Sequence, residues 1–245
     1  MAEITLYQYA ADLGVESASP FCVKVHRALV FKGLDYQVQV VGNPNEMKRL
    51  NPGVLKVPVL GWDDELVRDS TRILHFLDEK VPEPLLFPAE PQANARTRLM
   101  EDWADEAFYW FPVYMRWQVD SNYQPFAERA FGSMPIPLRW FLPKFIRRQV
   151  KGQLWGQGTG RLTIDRVLSM LEDHLQMLEN LLGKNNFLGG EHPDAADIAI
   201  FGPLRAVAVD CIPESAKVIH QFPSIVNWLD RIDNATTGDH TVPFP

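Results

Sequence analysis

Four prolines (Pro82, Pro84, Pro88 and Pro91) stand between residues 82 and 91, and the hydrophobic pattern differs on the two sides of them. A stretch this rich in proline sustains neither a helix interior nor a central strand, so it reads as a linker. Upstream, short apolar runs alternate with turns. Downstream, apolar residues recur at helical spacing over long windows. With 245 residues there is enough chain for two cores. The expected division is therefore an α/β unit over 1–81, a linker over 82–91, an all-helical unit over 92–235 and a tail over 236–245.

Within the first unit the order of elements is legible. Ile4-Thr5-Leu6-Tyr7 reads as a short buried strand. A long connection containing Asp12-Leu13-Gly14 leads to Ser17-Ala18-Ser19-Pro20-Phe21-Cys22, where Ser19 suits an N-cap and Pro20 the first turn of a helix. Val25, Ala28, Leu29 and Phe31 give that helix its apolar face. Tyr36–Val41 alternates as a strand, Asn43-Pro44 opens a short helix through Leu50, and Lys56–Trp62 is an apolar strand. A turn at Asp63-Asp64-Glu65 returns the chain through Leu66 and Val67 to a helix that Ser70 opens and that carries Ile73, Leu74, Phe76 and Leu77. The resulting β-α-β-α-β-β-α order is the connectivity of a thioredoxin-like domain. Pro58 at the start of an apolar strand has two readings, a cis bond or a trans proline on an edge strand. Taken alone, the sequence favours the edge.

In the second unit, residues 92–119 carry Trp103, Trp110 and Trp117 every seven residues, as a core stripe would. Prolines 125, 135, 137 and 143 mark 120–160 as irregular. A strongly amphipathic helix is expected over 161–182. Asp194-Ala195-Ala196-Asp197 looks like a capping box opening Ile198–Phe201, and Phe222-Pro223-Ser224 opens a last helix. The polar tail beyond Asn234 is expected to fray.

Three landmarks in order, Ser19-Pro20-Phe21, Val57-Pro58-Val59-Leu60 and Asp69-Ser70, together with Asp194–Asp197, resemble the cytosolic glutathione transferases over roughly residues 3–232. The resemblance implies a thioredoxin-like domain that binds glutathione, followed by an all-α domain that presents a hydrophobic electrophile. It implies a homodimer as well, and no metal. Ser19 matches the residue that contacts the glutathione sulfur in serine-type members, where a hydroxyl at a helix N-terminus favours the thiolate. The long connection before it leaves Ser17 as a substitute. Tyr7 stands near the catalytic position of tyrosine-type members, with Tyr9 in competition, although a core tyrosine accounts for either.

Under the same resemblance, Val57 before Pro58 matches the position whose backbone pairs with the cysteinyl part of glutathione. Asp69 and Ser70 match the pair that takes the γ-glutamyl end, with Ser70 also reading as an N-cap. Arg49 or Lys56 matches the basic residue for the glycine carboxylate. Tyr109, Phe111 and Tyr114 lie off the tryptophan stripe and are candidates for the electrophile pocket. Gln153-Leu154-Trp155-Gly156-Gln157-Gly158-Thr159-Gly160-Arg161 is similar to a bacterial and metaxin-like branch of the superfamily.

Other classes of function compete with this reading. Ser-Pro-Phe-Cys at 19–22 looks like a dithiol motif lacking its first cysteine, so glutathione-dependent reduction through Cys22 is an alternative; a packed, structural Cys22 is the plainer account. A non-catalytic binding protein that keeps only the fold is another. The net charge of −7 argues against a nucleic-acid partner. No apolar run reaches the ~18 residues of a membrane span. Two cysteines, Cys22 and Cys211, point to a reducing cytoplasm rather than a disulfide framework. Residues 138–151 hold five basic side chains and no acid, a pattern that suits anionic substrates, a membrane surface or simply a solvated face.

Overall fold

The computed structural model of the protein describes residues 2–12, 15–132 and 134–242, so Leu13 and Gly14 of the first connection and the final residues 243–245 lie outside it. Strand β1 (Ile4–Gln8) alternates fully and partly buried side chains, as a strand covered unequally on its two faces must. It pairs in parallel with β2 (Gln37–Val40) and antiparallel with β3 (Val59–Trp62), which pairs antiparallel with β4 (Glu65–Arg68), giving the order β2-β1-β3-β4. Helices α1 (Pro20–Phe31), α2 (Pro44–Leu50) and α3 (Ser70–Lys80) complete a thioredoxin-like unit.

The helical unit contains α4 (Pro91–Trp103), a π-helical turn (Ala104–Phe108), α5 (Trp110–Trp117), α6 (Asp120–Phe131), α7 (Ile136–Gln157), α8 (Ile164–Leu182), α9 (Ala195–Arg205), α10 (Pro213–Ile219) and α11 (Pro223–Ala235). Its core gathers Val167, Leu171, Leu175 and Leu178 of α8 with Ile200, Phe201 and Leu204 of α9 and Trp228 and Leu229 of α11. Residues 81–90 carry neither helix nor strand. No helix among the described residues is long and apolar enough to cross a membrane.

The structure corrects the sequence reading in several places. Val57–Pro58 is cis, and Pro58 precedes β3, an interior strand flanked by β1 and β4 rather than an edge. Glu65 opens β4, so the hairpin turn is Asp63-Asp64 alone. Residues 120–157 are largely helical instead of irregular. Pro137 falls in the first turn of α7, where a missing N–H costs nothing. Pro143 is buried inside α7, with its carbonyl accepting the Tyr123 hydroxyl at 3.0 Å. Packing of Tyr123, Phe126 and Phe131 into a cluster outweighs the helical bond that Pro125 removes from α6.

As far as Val242 the tail is docked and does not fray. Thr236 is fully buried, the Val242 N–H donates to Glu16 Oε1 at 2.8 Å, and His240 Nε2 lies 2.7 Å from the Tyr36 carbonyl. Arg27 explains this docking. Fully buried in α1, it pairs with Glu16 at 2.5 Å and Asp233 at 2.6 Å, and it also donates to the Thr236 hydroxyl and the Val242 carbonyl. The tail supplies acceptors to the two terminal nitrogens of this buried guanidinium.

Candidate active site

Ser19 sits at the N-cap of α1 with extended backbone angles (φ −102°, ψ 119°), and its side chain makes no capping hydrogen bond. The amides of Cys22 and Val23 return to the Ser19 carbonyl at 3.0 and 3.2 Å, and Pro20 has no N–H. Phe21 therefore supplies the first-turn amide left without a backbone acceptor among the described residues. Ser17 is committed: its hydroxyl donates to the Tyr9 carbonyl at 3.0 Å and accepts the Ser19 N–H at 3.3 Å. Ala10, Asp12 and Ala18 of the long connection leading here are held in place. Ala18 N–H donates to the Ala10 carbonyl at 2.8 Å, Arg116 of α5 donates to the Ala18 carbonyl at 2.9 Å, and Arg129 of α6 meets Asp12 at 3.1 Å.

Cys22 is fully buried among Val41, Met47, Leu50, Val57 and Val59. Burial pushes its thiol up to about 11, opposed by the Ser19 and Ser17 hydroxyls and the Tyr9 backbone beside it. The cysteine is a thiol, not a thiolate, at neutral pH.

Sheet register brings the remaining thioredoxin-unit candidates to the same end. Val59 at the start of β3 faces Tyr7 near the end of β1 and Arg68 at the end of β4. Val57-Pro58 and Asp69-Ser70 therefore flank the end of the sheet from which the connection to Ser19 departs. Among the described residues, neither the Val57 N–H nor its carbonyl takes part in a backbone hydrogen bond. Asp69, not Ser70, caps α3: its carboxylate accepts the Arg72 N–H at 3.1 Å. Asp69 does so at φ +77°, a left-handed conformation that costs a non-glycine residue free energy and clusters at functional sites. Ser70 is buried in the first turn, and its hydroxyl makes no hydrogen bond among the described residues. Arg49 in the last turn of α2 and Lys56 in the following loop are both exposed.

Behind Ser70 lies a charged cluster that sequence reasoning missed. Lys24 of α1, almost wholly buried, reaches Glu101 at 2.5 Å and Asp105 at 2.6 Å, and the Thr71 hydroxyl donates to Glu101 at 2.6 Å. Burial pushes the Asp105 carboxyl up to about 6, with Lys24 pulling against it and Glu101 and Asp69 adding to it. The cluster ties the starts of α1 and α3 to the helical unit. A lysine and an arginine inside the apolar pattern of residues 20–31, and Arg116 alone in an aromatic run, were the available signals: an isolated cation on a buried face needs partners.

Of the three aromatic candidates, only Tyr109 reaches this end of the sheet. Its ring centroid lies 4.8 Å from that of Phe21, and burial holds its phenol above the usual range. The π-helical turn just before it sets Tyr109 in this place. Phe111 packs with Phe108 and His174, and Tyr114 donates its hydroxyl to the Leu162 carbonyl at 3.0 Å; both belong to the core of the helical unit. Tyr9 is exposed near Tyr109, whereas Tyr7 packs beside the cluster around Cys22.

A thioredoxin-like sheet followed by an all-helical unit, with a cis-proline before an interior strand, is the architecture of the glutathione transferase class. Residues 18–80 match the glutathione S-transferase N-terminal domain and residues 162–231 its C-terminal domain. The chain is 33% identical over 231 residues to glutathione S-transferase U2 of Arabidopsis thaliana, covering 92% of this chain and 84% of that one. It is 25% identical over 236 residues to an isoprene-epoxide–glutathione S-transferase of a Rhodococcus species, covering 94% and 97%. Rice GST1, solved in complex with glutathione, superposes with a TM-score of 0.66 at 20% identity over 96% of this chain and 89% of that one. The chain belongs to the glutathione S-transferase family.

Proposed function

We propose that the protein is a glutathione transferase in which Ser19 holds the glutathione thiolate for attack on a hydrophobic electrophile. One observation carries the reading: Ser19 stands where a capping hydroxyl belongs and leaves that hydroxyl unused for capping. An O–H donor and the positive end of α1 both favour a sulfur anion over a thiol. The Phe21 amide adds a donor.

The other contacts follow from what each end of the tripeptide needs. Unpaired backbone groups at Val57, in the segment that leads into β3, suit pairing with an extended peptide. The Ser70 hydroxyl and the start of α3 suit the γ-glutamyl carboxylate, and Asp69 its α-amino group. Arg49 or Lys56 suits the glycine carboxylate. Tyr109, against Phe21, forms an apolar wall for the electrophile. In the reaction the sulfur donates an electron pair to carbon, a C–S bond forms, and the leaving group or epoxide oxygen departs with the electrons of its bond. The chain's contribution is thiol ionisation and proximity. Reduction through Cys22 lacks a nucleophile, because its thiol is fully buried and its ionisation is suppressed.

Ser19→Ala tests the reading. A hydrogen bond to a charged group is worth ~1.5–3 kcal/mol, so turnover falls about ten- to a hundred-fold. The pKa of bound glutathione, followed by thiolate absorbance, rises, while glutathione affinity changes little. Full turnover in Ser19→Ala, with an epoxide or an aryl halide as the electrophile, overturns the assignment.

A further inference from the structure

Helix α7 carries a face that the transferase reading does not use. Its inward side is set by Pro143 and Leu154. On its outward side Leu138, Phe141 and Phe145 stand at i, i+3 and i+7 spacing, 48%, 73% and 65% exposed; Trp140, 60% exposed, stands on another face of the helix. Isolated exposed apolar residues need no explanation, but a contiguous aromatic stripe on one helix does. The same helix holds five basic residues and no acid, in a chain whose net charge is −7. Of these cations, Arg147 is engaged by Asp120 at 2.6 Å and by the Trp117 carbonyl. Lys144, Arg148 and Lys151 form no ion pair among the described residues, and with Arg147 they line an open groove of ≈ 540 Å³ beside Tyr123 and Gln124.

We infer that α7 docks the protein onto an anionic lipid surface. Charge complementarity selects that occupant. A helix with aromatic side chains on its outer face and only lysine and arginine among its charges has the composition of an interfacial helix. The groove places cations where lipid phosphates would lie, next to the apolar stripe that would enter the acyl boundary. At ~33 Å the helix is long enough to lie along such a surface. Because the rest of the chain carries the acidic excess, an anionic surface repels it on balance and favours approach by this face. A second copy docked α7 to α7 brings the two sets of cations together, which disfavours self-pairing.

The test is sedimentation of the full chain with vesicles of phosphatidylcholine alone and of phosphatidylcholine mixed with phosphatidylserine. Binding is expected to the mixed vesicles, to weaken as salt is raised, and to fall at least about tenfold both in Phe141→Asp/Phe145→Asp and in Lys144→Glu/Arg148→Glu. These side chains are exposed, so unfolding temperature and glutathione binding stay at the wild-type values and separate this result from the fate of the transferase reading. Equal binding to both vesicle types, no binding to either, or binding indifferent to the substitutions overturns the inference. Self-association of the free chain that Phe141→Asp/Phe145→Asp abolishes also overturns it and assigns the face to a second copy.

Discussion

At the scale of single residues, what distinguishes Ser19 from its neighbours is hydrogen-bond commitment rather than identity. Ser17 and Ser19 are two residues apart and both buried, yet Ser17 spends its hydroxyl on the Tyr9 carbonyl and the Ser19 amide. Cys22, one turn further on, shows how burial removes reactivity that sequence alone suggests. Its thiol is pushed up to about 11, whereas Cys211 is exposed. Native protein treated with iodoacetamide near neutral pH is therefore expected to take up one equivalent, at Cys211, and a second only after denaturation. Labelling of Cys22 in the native state, read by peptide mass, would contradict its placement in the core.

At the scale of elements, α1 is the helix on which the site depends. Residues 22–29 are buried without a break, because the sheet and α3 cover one side and α9 the other. An amphipathic reading identifies only the first of these contacts. The second needs Gly202: a Cβ there would stand 3.0 Å from the Pro20 carbonyl oxygen and 3.3 Å from Val23 Cβ. Gly202→Ala gains ~1 kcal/mol of helix propensity. The clash outweighs that gain, since overpacking costs ~1–3 kcal/mol and the obstructing atom is backbone in the first turn of α1. The expected outcome is a lower unfolding temperature and a larger fractional loss of conjugation than of stability, because Pro20 follows Ser19 directly. Unfolding and activity at a temperature where both proteins are folded check this. A more stable, fully active variant would show that α9 can shift freely.

At the scale of the whole molecule, charged residues join the two units. Lys24, Glu101, Asp105 and Thr71 form one junction; Arg27, Glu16, Asp233 and the tail form another. Burial is the main cause of the raised Asp105 carboxyl, so the folded protein binds that proton more tightly than the unfolded chain. The sign follows. The contribution is whole below ~pH 4, the unfolded carboxylate range, and is lost as pH rises through about 6. Asp105→Asn should therefore gain on wild type between pH 4 and pH 7 in urea-unfolding midpoints. A difference that stays constant over this range would show that Asp105 is already ionised throughout.

Periodicity and punctuation determined the order of strands and helices in the thioredoxin-like unit and the Asp194–Asp197 capping box, whose reciprocal bonds the structure contains. These are local: a cap, a turn or an alternating strand involves residues a few positions apart. Ser19, Val57, Asp69 and Ser70 were legible as candidates for the same reason, each standing at the boundary of an element. Tertiary structure alone decided that Asp69 rather than Ser70 caps α3, that Tyr109 rather than Phe111 or Tyr114 meets α1, and that prolines 125 and 143 lie inside helices. It also decided that Lys24 and Arg27 are buried. The burial of Lys24 and Arg27 turns on partners far along the chain, Glu101 and Asp233, and only a closed core brings them within hydrogen-bond distance.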